Sequence, residues 1–373
     1  MDDIFSQRLD RLRETFSGAD IDALLVFSDE NRYYLSGFSA RDGQCDESAG
    51  AVVVGPSRQL IATDSRYESQ AQNETSHFDI VCYREGLAKA LPEIIKSLHI
   101  TRLGFESTRL PYYQFERIHE QLKSLTPTIS LVPSQGLVEG LRVRKDAQET
   151  DAITESLRIA ESVLSDILRQ FPTTATEQQI AWEIEKAMRE RGAEAMAFSP
   201  IVASGPNAAL PHAVPSNRLI SDGGPLLFDW GCRLNGYCSD ISRTIWIGPP
   251  DDRFHKVFQT VLAAQQLAIE AIKPGISSQA VDKVARDHIA AQGFAGHFGH
   301  GLGHGVGLAT HEKPHLSPFK PTTLEAGMVT TVEPGIYLPG WGGVRLENMV
   351  VVETDGARVM NTLPLELTPM DRC

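Results

Sequence analysis

Two acids in one short stretch carry the first hint of chemistry. Asp229 and Asp240 lie in LLFDWGCRLNGYCSDISRTIWI, on either side of Asn235-Gly236. An Asn-Gly pair between β-rich runs is the strongest short signal for a two-residue hairpin turn. With that turn, opposed residues have numbers summing to 471, so 231 faces 240 and 229 faces 242. Opposed residues share a face, as do alternate residues of one strand. Asp229 therefore points the same way as Ser242 and Asp240, and the two aspartates become diagonal neighbours roughly 7–8 Å apart at the backbone. Neither has an opposite charge immediately beside it in the hairpin. Two acids among Leu, Phe, Ile and Trp stay ionised in an apolar interior only if cations compensate them, and a divalent metal is the economical one. For the pair taken alone, a solvated face is the bland alternative.

Later segments favour the metal. HFGHGLGHGVGLATHEKP supplies His297, His300, His304 and His311, interleaved with glycines that let backbone pack close to a site. An isolated histidine is usually structural, but four in a Gly-rich run, with acids elsewhere, are not an ordinary core pattern. MVTTVEPGIYL sets Glu333 at the end of a β-rich run, and GGVRLENMVVVE sets Glu347 within another. Each sits among Val, Ile and Leu, so each needs a partner if buried.

The elements that must position these groups come in two blocks. Up to about residue 140 the chain alternates helix and strand: an amphipathic helix over Phe5–Phe16, a buried strand at Ala23–Phe27, strands at Gly50–Val54, Gln59–Ala62 and Ile80–Tyr83, and helices near Gly86–Leu98 and Tyr112–Leu125. The charged segment LVEGLRVRKDAQETDAI then marks a boundary, giving an α/β domain over 1–140 and a second domain over 141–373. The second contains an internal repeat. TEQQIAWEIEKAMRERG (Thr176–Gly192) and SSQAVDKVARDHIAAQG (Ser277–Gly293) share a cap residue, an amphipathic run and a closing Gly at a constant offset of 101. Each follows another helix, Asp151–Phe171 and Arg253–Ile272, and precedes strand-like segments. Two α-α-β units facing each other leave a cleft at their junction.

Composition removes several alternatives. Lys and Arg number 35 against 48 Asp and Glu, a formal net charge of -13 over 373 residues, which repels nucleic-acid phosphates. No apolar run has membrane-spanning length, and MDDIFSQRLDRLRETF lacks the basic start and apolar centre of a secretory signal. Cys45, Cys82, Cys232, Cys238 and Cys373 are sparse, odd in number and without CxxC spacing, which fits free thiols in a reducing cytoplasm; Cys232 and Cys238 read as packing residues.

Asp229, Asp240, His304, Glu333 and Glu347, in that order, resemble the five-ligand dinuclear site of the pita-bread peptidases, the M24 family of methionine aminopeptidase, prolidase and aminopeptidase P. HGLGHGVGLATHE, TVEPGIY and GGVRLEN strengthen the resemblance, and NRYYLSGF and LIATDSRYESQA look like the N-terminal domain of the proline-specific, creatinase-like branch. Asn348 departs from the pattern, since many relatives carry Asp after the last ligand Glu. The resemblance implies an α+β chain, with a creatinase-like α/β domain preceding a pita-bread domain of pseudo-twofold α-α-β repeats. It implies two divalent ions, manganese foremost and cobalt or zinc possible, as an oxygen-rich site favours. Asp229 would chelate one ion, Asp240 and Glu347 would bridge both, and His304 with Glu333 would complete the other. A water shared by the ions would be the nucleophile, with Glu333 as proton shuttle. His212 and His311 would steady the substrate carbonyl and the tetrahedral intermediate, Arg345 would orient carboxylate ligands, and His300 would support the Gly-rich turn or line the cleft.

The implied activity is cleavage of the N-terminal Xaa-Pro bond of peptides, in a cytoplasmic homodimer. A prolidase confined to Xaa-Pro dipeptides is the main rival. It needs a cation for the free carboxylate, and Lys313 and Lys320 leave that open. A non-catalytic peptide-binding relative and a creatinase-like hydrolase are remoter readings, set back by the complete ligand set.

Overall fold

A computed structural model describes residues 2–41, 48–170, 174–220 and 223–367, and the chain divides into two compact units, Met1–Arg142 and Val143–Cys373. Cys45, Cys373 and the expected helix end at Phe171 lie outside the described residues.

Unit 1 is a six-stranded sheet with helices around it. Its strands are β1 (Ala23–Val26), β2 (Ala51–Val54), β3 (Gln59–Thr63), β4 (Asp79–Cys82), β5 (Arg102–Glu106) and β6 (Ser130–Ser134), in the order β4-β3-β2-β1-β5-β6. Helices α1 (Asp2–Glu14), α2 (Asp29–Ser36), α3 (Glu68–Glu74), α4 (Leu87–Leu98), α5 (Tyr112–Leu122) and α6 (Leu137–Arg142) complete it. β1 runs parallel to β5 and antiparallel to β2, so the sheet is mixed. β1 and β2 are buried along their whole length because both faces are covered, which is why they read as continuous apolar runs. Leu25, Val53, Leu91, Ile95, Leu103 and Ile118 belong to the core on one side of that sheet.

Unit 2 contains the repeat. Helices α7 (Ala147–Gln170) and α8 (Glu177–Glu190) lead into β7 (Ala195–Met196), β8 (Ile201–Ser204), β9 (Gly224–Trp230), β10 (Cys232–Leu234), β11 (Tyr237–Cys238) and β12 (Ile241–Ile247). Helices α9 (Asp252–Ala271) and α10 (Ser278–Ile289) lead into β13 (Gly303–Gly305), β14 (Glu312–Leu316), β15 (Val329–Val332), β16 (Gly335–Leu338), β17 (Gly342–Arg345), β18 (Asn348–Val352) and β19 (Ala357–Val359). One sheet has the order β12-β9-β8 and the other contains β18-β15-β13, so these three strands of each half repeat one another. Thr176 caps α8 with a reciprocal capping box to Gln179, whereas Ser277 occupies the same place before α10 without a side-chain capping bond. Helix α7 begins four residues before the expected Asp151, because Asp146 and Glu149 exchange side-chain-to-backbone bonds of 2.9 and 3.1 Å and start it earlier. Val257, Val261, Val281, Leu302, Val332, Ile336 and Val350 form the apolar centre between the second pair of helices and its strands.

The hairpin follows the register read from its turn. Asn235 and Gly236 have φ of 50° and 78°, as a type I′ turn requires. Leu234 faces Tyr237, Arg233 faces Cys238 and Asp229 faces Ser242. Trp230 is fully buried and donates its indole N–H to the Ala160 carbonyl at 2.8 Å, which ties β9 to α7. Cys232 and Cys238 are buried free thiols that pack inside the unit.

Candidate metal centre

The repeat explains why the acids converge. Asp229 is the last residue but one of the middle strand of one half and Glu333 directly follows the middle strand of the other; Asp240 directly precedes β12 and Glu347 directly precedes β18. Two pairs of carboxylates therefore arrive from equivalent places. His304 comes from β13, where the ladder to β14 slips between His304 and Gly305. Such a bulge re-aims a side chain. A Cβ on neighbouring Gly303 would run into the Thr331 carbonyl, so glycine is what lets β13 lie this close to β15.

Ligand atoms of Asp240, His304 and Glu347 all lie within 4.8 Å of one another. His304 Nε2 is 3.2 Å from Glu333 Oε1 and 3.5 Å from Asp240 Oδ2. His304 Nδ1 donates to the Gly305 carbonyl at 3.1 Å, which fixes the tautomer and leaves Nε2 to act as a ligand. Asp229 faces the same cavity from the other side. Its Oδ2 is 2.7 Å from Arg345 Nη2, and its Oδ1 has no hydrogen-bond partner. Glu347 repeats the pattern, since Oε2 accepts from Ser242 Oγ at 2.8 Å while Oε1 is buried and unpartnered.

Buried, unpartnered carboxylate oxygens aimed into one cavity are what cations would satisfy. Burial and mutual repulsion push Asp240 and Glu347 well above the usual carboxylate range, and burial raises Asp229 against the pull of Arg345. Burial acts on Glu333 in the same direction, but its bond with His304 outweighs it and holds Glu333 down to about 2. A donor set of four carboxylates and one imidazole nitrogen fits hard or borderline divalent ions.

Around this cluster the cavity measures about 710 Å³ and is lined by Phe198, Pro211, His212, Val214, His300, His311 and His315 among others. The His311 ring lies 4.1 Å from the His304 ring, and burial together with His304 lowers it to about 4, so it is neutral near pH 7. His212 lies exposed between Pro211 and Ala213 on the cavity wall. His300 bonds the Tyr337 hydroxyl at 2.8 Å through Nε2, and Arg345 Nη1 donates to the same hydroxyl at 2.9 Å. His297 is turned instead to the Tyr337 carbonyl, 3.2 Å from its Nδ1. Arg345 is nearly inaccessible and also bonds Ser242 Oγ and the Pro211 carbonyl. Asn348 accepts from buried Arg243 at 3.1 Å, so the departure from the family pattern keeps an arginine partner.

The chain matches the model of metallopeptidase family M24 over residues 151–354 and that of the creatinase/prolidase N-terminal domain over residues 8–144. The chain belongs to metallopeptidase family M24. Within it, the chain is 38% identical over 360 residues to the uncharacterized peptidase YqhT of Bacillus subtilis, across 96% of this chain and 99% of that one. It is 34% identical over 366 residues to a Xaa-Pro dipeptidase of Pyrococcus horikoshii, across 98% and 99% of the two chains. Among solved structures, a Xaa-Pro dipeptidase from Bacillus anthracis superposes with a TM-score of 0.90 at 36% identity, covering 97% of this chain and 99% of that one. An X-Pro aminopeptidase from Thermotoga maritima gives 0.85 at 33% identity, covering 95% and 99%. The pita-bread architecture with a creatinase-like N-terminal domain, expected from the motifs, is therefore this peptidase's fold. No helix among the described residues is long and apolar enough to cross a membrane.

Three features of the site were not anticipated from the sequence. Tyr337 joins His300 to Arg345. In TVEPGIY nothing beside Tyr337 marks it for that role. Neither Lys313 nor Lys320 lines the cavity, whereas His315 does. Buried Lys145 and Glu312 pair at 2.6 Å beneath the His311 segment. The KD and HE dipeptides give no sign of that pairing.

Proposed function

We propose that this chain hydrolyses the N-terminal Xaa-Pro bond of peptides with two divalent ions held by Asp229, Asp240, His304, Glu333 and Glu347. The observation that carries the reading is the orphaned pair Asp229 Oδ1 and Glu347 Oε1, both buried in the wall of one cavity with His304 Nε2 close by. Divalent ions there would supply a water of lowered pKa and would polarise the scissile carbonyl. Manganese suits the oxygen-rich set, with cobalt or zinc as alternatives.

The chain's own groups do the rest. Glu333, ionised near neutral pH and on the cavity wall, would pass a proton from the attacking water to the leaving proline nitrogen. Neutral His311 and exposed His212 approach the cavity from separate segments and donate to the substrate carbonyl oxygen as it gains charge. Arg345 holds Asp229 through one arm of its guanidinium and Ser242 through another, so the ligand acids keep their orientation when no substrate is bound. Phe198, Ile201, Pro211 and Val214 give the cavity an apolar side that suits a ring without an N–H.

Chain-length preference separates the aminopeptidase from the dipeptidase. Among the described residues of the cavity wall, Arg345 is the one Lys or Arg, and Asp229, Ser242 and Tyr337 already occupy it. Of the histidines on that wall, His315 is the one not already assigned to the ions, the carbonyl oxygen or Tyr337, and burial, His304 and the two nearby lysines hold it below its ordinary range. That supports the aminopeptidase reading. The relatives named Xaa-Pro dipeptidase favour the second reading, in which His315 donates to that carboxylate. Comparing kcat/KM on Ala-Pro with that on Ala-Pro-Ala-Ala, in saturating manganese, decides it: a higher value on the tetrapeptide is expected, and activity confined to the dipeptide would overturn the choice. A cytoplasmic homodimer completes the reading; light scattering tests the assembly and cell fractionation the location.

A further inference from the structure

Glu177 opens helix α8 directly after its cap residue, a place where an acid normally faces water and favours the helix dipole. Here it is fully buried. Its Oε1 accepts from the Ser204 N–H at 2.6 Å, and its Oε2 from the Ser216 N–H at 2.9 Å and the Ser216 hydroxyl at 2.6 Å. Asn207 Nδ2 lies 3.1 Å from both oxygens. Every one of these donors is neutral, and together they belong to the two ends of one segment, 204–216. The start of α8 holds the far end again, because the Glu177 and Gln178 N–H groups donate to the Arg218 and Ser216 carbonyls at 3.1 Å each.

Between those ends, Pro211, His212, Ala213 and Val214 line the metal-centre cavity. Val214 is 82% exposed and Leu210 57%, so of the side chains here only the small Ala213, with Ala208 before it, packs into the core beside Leu227 and Tyr337. A further tie is the Pro211 carbonyl, which accepts from Arg345 Nη1 at 3.2 Å. The second half of the repeat offers an internal comparison. Ser278 occupies the place of Glu177 at the offset of 101, and it too clamps a following segment, with Ser278 N–H to the Thr322 carbonyl at 2.8 Å and Thr322 N–H to Ser278 Oγ at 3.0 Å. A serine reaches only that one segment. The longer glutamate reaches the end of β8 as well as Ser216, and so closes the segment into a loop of fixed span.

We propose that Glu177 is a positioning residue for His212, setting where the His212 loop stands over the metal centre by pinning both its ends with one buried carboxylate. The proposal rests on the reading of His212 as a substrate contact. Glu177→Gln conserves volume but turns one oxygen into an NH2 group, which must face either the Ser204 or the Ser216 donors and release that end of the loop.

The test pairs hydrogen exchange with a double-mutant cycle, using full-length protein in saturating manganese. In E177Q, amide exchange over 204–216 should quicken by about tenfold or more, as for a segment released to local opening, while exchange over Gly224–Trp230 and bound metal stay unchanged. On an Xaa-Pro peptide, E177Q should lower kcat/KM by roughly ten- to a hundredfold, the order expected of a misplaced contact. In an H212A background the same change should cost less than about twofold, because the group it positions is already gone. Ser216→Ala, a milder cut that keeps the carboxylate, should move exchange and kcat/KM the same way and by less, and it serves if E177Q does not fold. Unchanged exchange over 204–216 in either variant overturns the proposal whatever the activity. So does an effect of E177Q as large in H212A as in the parent. If the parent lacks Xaa-Pro activity while exchange responds as described, the reading of the site fails and the anchoring role of Glu177 stands.

Discussion

Arg345 Nη2 lies 2.7 Å from Asp229 Oδ2, while the other oxygen of Asp229 is buried without a partner. One guanidinium thus commits one carboxylate oxygen of Asp229, the acid proposed to hold an ion, and leaves the other free for it. Replacing Arg345 by Met removes the bonds to Asp229, Ser242 and Tyr337 together. Metal affinity and turnover should both fall by about ten- to a hundredfold, the range for loss of an outer-shell partner. Arg345→Lys should recover only part of this, because an ammonium cannot reproduce the planar fork. Metal analysis after dialysis, alongside steady-state kinetics, checks it; full metal retention in R345M would show that the pair does not hold the ligand.

The raised carboxyls of Asp240 and Glu347 predict how protons and ions compete. Burial and mutual repulsion favour their protonated forms in the metal-free protein, so manganese binding near neutral pH should release protons, measurable in a pH-stat. Folded values above the unfolded ones mean that metal-free stability declines as pH rises from the usual carboxylate range toward those values, and saturating metal should remove that decline. Proton-free binding would contradict this description of the site.

Asp22 gives the opposite sign in unit 1. Burial raises it, but the backbone N–H groups of Thr101 and Arg102 and the Arg102 guanidinium prevail and bring it to about 2. A depressed carboxyl contributes stability that is present above the ordinary value of about 3.9 and is lost as pH falls through the folded value. Asp22→Asn should therefore be the less stable protein at pH 5, and the gap to the parent should close between pH 4 and 2. Urea midpoints by circular dichroism test it, and a constant gap would refute it.

Lys145 and Glu312 are 1% and 8% exposed and pair at 2.6 Å. Lys145→Met removes the cation paired with the buried Glu312 carboxylate and should cost ~3–5 kcal/mol, and adding Glu312→Gln should restore much of that. Trp182, Trp230, Trp246 and Trp341 all lie in unit 2, so fluorescence-detected unfolding reports on that unit. A loss below ~1 kcal/mol would mean water reaches the pair.

Much of this was legible before any coordinates, and the reasons are local. Asn235-Gly236 sets a two-residue turn, the turn sets the register, and the register places Asp229 and Asp240 on one face. Constant spacing reveals the repeat because both halves set a Thr or Ser, an amphipathic helix and a Gly at the same separations ahead of their strands, although of the two Thr176 alone bonds as a side-chain cap. Illegible were contacts between segments far apart in sequence. Glu177 reads as an ordinary first-turn acid, since nothing near it announces Ser204 or Ser216. Lys313 and Lys320 stand out because charge is visible in a sequence and reach is not: Lys313 shares a face of β14 with His315 and Lys320 lies beyond the strand, yet of the three His315 lines the cavity. The early start of α7 was hidden because DAQE looked like linker charge when it is a cap.

If Asp229, Asp240, His304, Glu333 and Glu347 hold the ions that cleave the peptide, stripping the protein of metal and titrating manganese back will move bound ions and Xaa-Pro hydrolysis together. Two ions per chain, no turnover in the stripped protein, full recovery on refilling, and loss of both metal and turnover in Asp240→Ala are expected. Undiminished hydrolysis by metal-free protein, or by the Asp240→Ala variant, would contradict that assignment.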